Sequence, residues 1–445
     1  MHSAFIARQP IFNRHLEVVG CELLFRGRGW VEDEPVESPQ RATATVVLNS
    51  LTELDLERIV GRRKAWVEVP REFVLDGLAQ AIPAGLSGLE ISGSETFDEE
   101  LVAALRDLKR EGYELALDGF DADSLAEPVL DLFDVVRLDV QALGHEGLRA
   151  QVQRLRGAPC AILADGIATY ADRDFCVSAG CDLLQGHFFC RPAVAGTRGV
   201  SANRLALLQM VSALQRPDVE LPEVAQLITR DVALSFRMLR YVNSAALSLR
   251  GEVRSIGQAL TLLGLENARR WATLSVMASV DDKPTELTLT ALTRARFCEL
   301  AGAESEIAGP AELFTLGLFS VLDALMDTTM REATELLPLA DDMREALVER
   351  TGPMGDLLRV VIAREEGDPG DAPRIPHADE CYLRAVIWAN DAAESLFAGA
   401  PSMLSSPTLP APTTPPGEPR ITIRPEGGAL TRLLAALRRL FGLGG

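Results

Sequence analysis

The chain has 445 residues, of which 47% are hydrophobic, and it carries a net charge of −20. This length exceeds one ordinary hydrophobic core, so we expect two globular domains with additional segments. The negative charge repels phosphate backbones and disfavours a nucleic-acid partner.

The cysteines and the hydropathy of the chain indicate the cellular compartment of the protein. The seven cysteines are scattered and contain no Cys-x-x-Cys pair, which favours free thiols in a reducing cytoplasm over a disulfide framework or a zinc site. No uninterrupted run of eighteen apolar residues occurs, so no transmembrane helix is predicted. We expect a cytoplasmic protein.

Residues 4–192 alternate short apolar runs with segments of helical periodicity. Strands are predicted at 18–25, 65–69, 89–92, 114–118, 135–139, 161–165 and 181–185, with helices at 41–54 and 99–111. Repeated strand–helix units of this kind predict a closed α/β barrel of the TIM type. Acidic residues lie near the predicted strand ends, on the face where such barrels carry their sites: Glu22, Glu90, Asp118, Asp139 and Asp165.

After Pro192 only helical periodicity remains, which predicts an all-α domain. Helices are predicted at 203–215, 222–228, 231–242, 255–263, 267–280, 287–301, 311–326, 332–337, 341–350, 354–366 and 380–396. Asp231 is predicted to cap its helix, and Gly264 to end one.

The last part of the chain has a different composition. Residues 399–428 are rich in Pro, Ser and Thr and predict a linker without a core. Residues 429–445 place leucines on one helical face and Arg432 and Arg439 on another, which predicts an amphipathic basic helix. It would dock on this protein or a partner, lie on an anionic membrane surface, or stay frayed. The predicted domains are therefore 1–198, 199–398, 399–428 and 429–445.

Several segments of the barrel half occur together in one order. They are residues 8–12, 20–26, 89–92, 116–120, 136–139, 164–167 and 185–192. Together they resemble the EAL family of phosphodiesterases, which hydrolyse cyclic di-GMP. The resemblance implies two divalent cations at the barrel mouth that activate a water. It places Glu22, Glu90, Asp118 and Asp139 on acidic ligand positions.

This chain also departs from the family pattern. Glu68 stands at a ligand asparagine, Gly119 at an aspartate, Arg137 at a lysine, Asp165 and Ala168 at glutamates, Gly93 at a further glutamate, and Asp121 at a loop glycine. Gly119 supplies no ligand oxygen, and Arg137 stays protonated. Each such loss at a phosphoryl-transfer site costs on the order of a hundredfold to a thousandfold in rate.

These departures predict a degenerate barrel that is not an enzyme and has no catalytic residue. The vestigial site comprises Glu22, Glu68, Glu90, Asp118, Gly119, Arg137, Asp139, Asp165 and Gln185. No cofactor is expected; Mg²⁺ or Mn²⁺ would bind only if Glu22, Glu90, Asp118 and Asp139 retain metal affinity. Alternatively, Glu22 and Asp139 form ion pairs with Arg26 and Arg137, and His187 packs in a loop.

The helical half resembles the HDOD domain, a relative of the HD phosphohydrolases that lacks their His-Asp metal ligands. The resemblance is carried by residues 221–222, 228–235, 239–245, 256–259, 262–264 and 314–318. Its motif residues are Asn243, Ser244 and Gly264. Asn243 and Ser244 are either a partner contact or a helix-ending pair that satisfies free backbone groups.

The sequence thus predicts an inactive signalling protein with an EAL barrel and an HDOD domain. It would act by binding other signalling proteins in a cyclic-di-GMP pathway, for example one controlling motility or surface attachment; this pathway rests on analogy. One alternative is a sensor that binds cyclic di-GMP through Arg26 and Arg137 without cleaving it. Another is weak phosphodiesterase activity using Glu22, Glu90, Asp118 and Asp139. Homo-oligomerisation is a further expectation.

Overall fold

A computed structural model provides the structure of this chain. It describes residues 5–26, 56–61, 63–120, 127–193, 209–214, 216, 218–230, 232–243, 253–277, 283–303, 307–335, 337, 339–367 and 371–397. These residues form two compact units, the first containing a barrel and the second beginning at Phe189. The predicted helix at 41–54 and all residues after 397 lie outside the described residues.

The first unit is a closed eight-stranded barrel in which each strand pairs with its neighbours in sequence order. Its strands are β1 (Phe5–Asn13), β2 (Val18–Arg26), β3 (Lys64–Glu68), β4 (Ser87–Ser92), β5 (Glu114–Asp118), β6 (Val135–Asp139), β7 (Ala161–Asp165) and β8 (Leu183–Gln185). Six parallel pairs run from β2 to β8, as predicted. This confirms the predicted α/β barrel.

Strand β1 is the element that sequence periodicity missed. It runs antiparallel to both β2 and β8. Arg8, Gln9 and Pro10 interrupt its apolar residues, and a proline within a run argues against a strand. The turn into β2 is held by the Asn13 side chain, which accepts hydrogen bonds from the backbone N–H groups of His15 and Glu17. A tight hairpin requires antiparallel neighbours.

Helices follow most of the strands. They are α1 (Leu56–Val60), α2 (Arg71–Leu75), α3 (Glu99–Arg110), α4 (Glu127–Leu130), α5 (Val140–Arg154) and α6 (Tyr170–Ala179). Helix α3 matches its prediction: Asp98 caps it by accepting from the Leu101 N–H at 3.0 Å, and Leu105 and Leu108 are buried. Its apolar stripe packs the helix on the barrel.

The lower part of the barrel interior is apolar. Its core consists of Ile11, Val19, Trp66, Ala116, Val135, Leu163 and Leu183. Trp66 needs a glycine opposite it, because a Cβ on Gly88 would lie 2.4 Å from the indole ring. The indole therefore packs directly against β4.

The regular secondary structure described in the second unit consists of helices, as predicted. Its helices are α7 (Leu221–Thr229), α8 (Val232–Val242), α9 (Ile256–Met277), α10 (Thr285–Ala301), α11 (Pro310–Phe319), α12 (Leu322–Met326), α13 (Met330–Glu335), α14 (Asp341–Glu349), α15 (Gly352–Glu366) and α16 (Ala378–Phe397). Gly264 has a non-helical backbone with a φ of 74° and divides α9 into two helical segments, which confirms the predicted helix end. Asp231, the predicted cap, lies outside the described residues.

None of the helices in the described ranges combines the length and the apolar character that a bilayer span requires.

Candidate functional site

Four carboxylates converge on one guanidinium at the C-terminal end of the parallel strands, which we call the barrel mouth. The four are Glu22, Glu90, Asp118 and Asp165, and we call them the acidic ring. Arg137 Nη1 donates to Glu22 Oε1 at 2.8 Å and to Glu90 Oε1 at 2.9 Å. Its Nη2 donates to Asp165 Oδ2 at 2.9 Å. Its Nε lies 3.6 Å from Asp118 Oδ1.

The alternation of side chains along the strands explains this convergence. Several polar residues at the mouth stand two positions beyond a residue of the apolar core on the same strand. Asp118 follows Ala116, Arg137 follows Val135, Asp165 follows Leu163 and Gln185 follows Leu183. Because side chains in a strand repeat every two residues, both layers face the barrel interior. The polar layer therefore lies directly above the apolar one.

The inner part of the acidic ring is buried. The side chains of Glu22 and Glu90 are 3% and 5% exposed, and that of Arg137 is 13% exposed. Burial raises the pKa of Glu90 to about 8, with the Glu22 charge adding to the rise and Arg137 opposing it. For Arg137, burial alone would lower the pKa, but Glu22, Glu90 and Asp165 raise it above the ordinary value. Arg137 thus stays charged, while Glu90 holds a proton at neutral pH.

Gln185 extends the polar layer on the side of β1. Its Nε2 donates to Gln9 Oε1 at 3.0 Å and also to Glu22 Oε2. Its Oε1 is buried and accepts no hydrogen bond from the residues that the structure describes. Gln9 is a contact that sequence reasoning missed, because β1 was not predicted as a strand.

The loops at β4 and β5 come very close together. Gly93 N donates to the Asp118 carbonyl at 2.5 Å, and a Cβ on Gly93 would lie 2.5 Å from the Gly119 carbonyl oxygen. Only glycine fits at position 93, whatever residue a related barrel carries there. Gly119 has a φ of 70°, and a Cβ there would meet nothing within 4 Å.

Two predicted site residues lie apart from Arg137. Asp139 Oδ1 caps α5 by accepting from the N–H groups of Gln141 at 2.8 Å and Ala142 at 3.0 Å. The predicted Arg137–Asp139 ion pair is therefore wrong, and Arg137 turns inward to the acidic ring instead. Glu68 is exposed at the end of β3. The Arg26 side chain lies outside the description, and Glu22 pairs with Arg137.

The carboxylates as arranged do not fit a divalent metal. Three of them are hydrogen-bonded to the guanidinium, which takes up the space between them. In the described ranges, no set of three or more His, Cys, Asp or Glu side chains has a metal-binding arrangement. The positive charge at this centre comes from Arg137.

In the second unit, Asn243 is bound to backbone groups. Its Nδ2 donates to the carbonyls of Leu239 and Val253, both at 2.8 Å, and its Oδ1 accepts from the Val253 N–H at 2.7 Å. The side chain joins the end of α8 to residue 253. Ser244 lies outside the described residues.

Comparison with known proteins identifies the architecture. The HDOD domain family matches residues 205–346. The cyclic di-GMP phosphodiesterase CdgJ of Vibrio cholerae is 32% identical over 377 residues, covering 83% of this chain and 86% of the relative. The uncharacterized protein YuxH of Bacillus subtilis is 27% identical over 405 residues, covering 87% of this chain and 98% of YuxH. This chain belongs to the EAL–HDOD family.

Two of the solved structures with similarity to this chain contain cyclic di-GMP. The MucR phosphodiesterase in complex with cyclic di-GMP is 17% identical, with 42% of this chain and 94% of that chain covered and a TM-score of 0.36. A standalone EAL protein from Vibrio cholerae, also with cyclic di-GMP bound, is 18% identical, with coverage of 44% and 93% and a TM-score of 0.34.

The relationship to CdgJ contradicts the prediction that the chain is not an enzyme, because that relative is named a phosphodiesterase. The prediction treated each departure from the family pattern as a loss. Gly119 does lack a ligand oxygen, but the carboxylates nearby still converge on one charged centre. The substitutions at single family positions were therefore not sufficient evidence that the chain is not an enzyme.

Proposed function

We propose that this protein is a cyclic-di-GMP phosphodiesterase that binds the dinucleotide at the barrel mouth. Arg137 would hold a phosphate, and Asp118 would accept a proton from the attacking water. The family relationship supports the reaction class, since CdgJ is named for it. The assignment of the site rests on the N–H groups of Arg137 that do not donate to the acidic ring.

Arg137 still has donors for an anion. A guanidinium has five N–H groups, and the acidic ring accepts three of them. Nε lies 3.6 Å from Asp118 Oδ1, beyond hydrogen-bond distance, so its N–H is also available. The second Nη2–H has no acceptor in the described part of the chain. Both can donate to phosphate oxygens in the planar, forked geometry that arginine offers.

Asp118 is the ring carboxylate best placed to contact water. Its side chain is 41% exposed, whereas that of Glu90 is only 5% exposed. In the proposed step, a water oxygen forms a bond to phosphorus while the bond from phosphorus to one ribose oxygen breaks. The water proton passes to Asp118, and the departing ribose oxygen takes a proton from solvent. The product is the linear dinucleotide, and Arg137 stabilises the charge on the phosphate oxygens.

The test is to incubate the full-length protein with cyclic di-GMP, separately with Mg²⁺, Mn²⁺ or EDTA, and to separate the products chromatographically. Linear dinucleotide is the expected product. Calorimetric titration of the same protein measures binding alone. Heat of binding without product would refute the phosphodiesterase, and absence of both would also refute cyclic di-GMP as the ligand.

Contacts with other signalling proteins stay a prediction, for which the sequence offers Asn243 and Ser244 in the helical domain and residues 429–445. Self-association stays a prediction without a location.

A further inference from the structure

We propose that Arg137 is an internal cation that takes the place of a divalent metal in the acidic ring, so that the ring binds such an ion only when this guanidinium is removed. The proposal concerns metal exclusion and is independent of the proposed phosphodiesterase activity. It follows from the charge, the packing and the oxygen atoms at the barrel mouth.

The charge balance of the ring requires a cation. The four carboxyl groups come from β2, β4, β5 and β7, and with Glu90 protonated three of them carry negative charge. Arg137 is the one cationic side chain that contacts them in the described residues. Buried carboxylates that share a small volume repel one another and lose hydration. Removing Arg137 leaves this charge uncompensated, and a small divalent ion is the simplest replacement.

The packing explains why both cations cannot be present together. Nη1 bridges Glu22 and Glu90, and Nη2 reaches Asp165 on the other side of the mouth. Hard divalent cations need several oxygens within about 2.0–2.6 Å. Here the carboxylates that would supply these oxygens are held apart by the guanidinium nitrogens.

A buried amide oxygen beside the acidic ring, without a hydrogen-bond donor among the described residues, is a second observation that points to a cation. Gln185 is 1% exposed, and its Oε1 has no hydrogen-bond donor among the residues described. The same amide contacts Glu22 through Nε2, so Oε1 lies close to the ring. Carboxylate and amide oxygens together are the ligand set that Mg²⁺, Mn²⁺ and Ca²⁺ prefer.

The experiment compares MnCl₂ titrations of wild type, Arg137→Ala and Arg137→Lys by calorimetry and by electron paramagnetic resonance of free Mn²⁺. We expect Arg137→Ala to bind one additional Mn²⁺ at least about tenfold more tightly than any site in wild type. Arg137→Lys retains the positive charge and should stay close to wild type. Equal Mn²⁺ binding by Arg137→Ala and wild type would overturn the proposal.

Two further variants locate the ion. Glu22→Gln combined with Arg137→Ala should lose the additional site, because a ring carboxylate is removed. Glu100→Gln combined with Arg137→Ala, which alters a side chain 75% exposed on α3, should keep it. If both double variants keep the additional Mn²⁺ site, the ion binds outside the acidic ring and the assignment is refuted.

Folding of the variant provides a second measurement. If Arg137→Ala is partly unfolded in EDTA, Mn²⁺ should restore it, since a ligand that binds only the folded state stabilises that state. The midpoint of thermal unfolding should rise with MnCl₂ in Arg137→Ala and stay constant in wild type. Failure of millimolar MnCl₂ to stabilise the variant would contradict the proposal.

Discussion

The two ends of the barrel use charged residues in different ways. At the N-terminal end, each cation pairs with one carboxylate: Lys109 with Asp134, and Arg14 with Asp182. Both aspartates also accept the N–H of the second residue of a strand, at 2.8 Å for Leu115 in β5 and 3.0 Å for Ile162 in β7. At the mouth, one cation serves four carboxylates and none of these contacts caps a strand.

Burial differs between the two ends as well. The side chains of Lys109 and Asp134 are 30% and 32% exposed, whereas Glu22 and Glu90 are nearly inaccessible. Buried ion clusters cost desolvation energy and are often no better for stability than apolar packing. The ion pairs at the N-terminal end also hold the backbone at the start of a strand. The acidic ring instead keeps buried ionisable groups with strongly shifted pKa values, as functional sites commonly do.

The largest expected effect is on stability when the ring loses its cation. Arg137→Ala in EDTA should destabilise the barrel by about 3–5 kcal/mol, because buried carboxylates are left unpaired. Amide hydrogen exchange of β4, β6 and β7 measures this for the barrel alone. Arg137→Lys should lose less stability, because it keeps the positive charge. Equal losses of stability in the two variants would show that the loss comes from packing and not from charge.

The next effect concerns catalysis. Asp118→Asn keeps the size of the side chain but cannot accept the water proton, so kcat should fall about a hundredfold, equivalent to nearly 3 kcal/mol. Glu100→Gln on α3 is the matched control and should cleave cyclic di-GMP like wild type. An unchanged kcat in Asp118→Asn would remove this residue from the mechanism.

The third effect is a dependence of stability on pH. Glu90 has a folded-state pKa of about 8 against an ordinary value of 4.5, so between these values the folded protein binds more protons than the unfolded chain. Stability therefore falls as pH rises, by up to about 1.4 kcal/mol per pH unit. Between about pH 6.5 and 8 the loss should reach roughly 2 kcal/mol.

The Glu90→Gln variant tests the origin of that slope. It carries no titrating group at position 90, so its urea unfolding midpoint should change less with pH than that of wild type across the same interval. Identical slopes in the two proteins would show that another group titrates.

The smallest effect is expected at the opposite end of the barrel. Lys109→Ala removes a partly exposed pair and should cost less than about 1 kcal/mol, with a smaller effect at high salt. The same hydrogen-exchange measurement applies. A loss as large as that of Arg137→Ala would erase the distinction between the two ends.

Sequence periodicity determined most of the secondary structure. Strands β2 to β8 and most described helices of the second unit fall close to their predicted positions, since both rest on local spacing of apolar residues. The single helix predicted at 311–326 is wrong, because the structure divides it into α11 and α12. Periodicity did not find β1, whose Arg8-Gln9-Pro10 segment resembles a loop and becomes a strand by pairing with β2 and β8. A strand that depends on distant partners has a weak local signal.

At the mouth, the sequence alone supplied the acidic residues, their strands and the unusual arginine. Only the tertiary structure decided which of them meet: Asp139 caps α5, whereas Asp165 on the neighbouring strand β7 and Glu22 on the distant strand β2 both contact Arg137. It also decided that Gly93 is required by a backbone contact with residues 118 and 119. Closure of the barrel brings together side chains more than one hundred residues apart, as Glu22 and Arg137 are, and no local pattern encodes that distance.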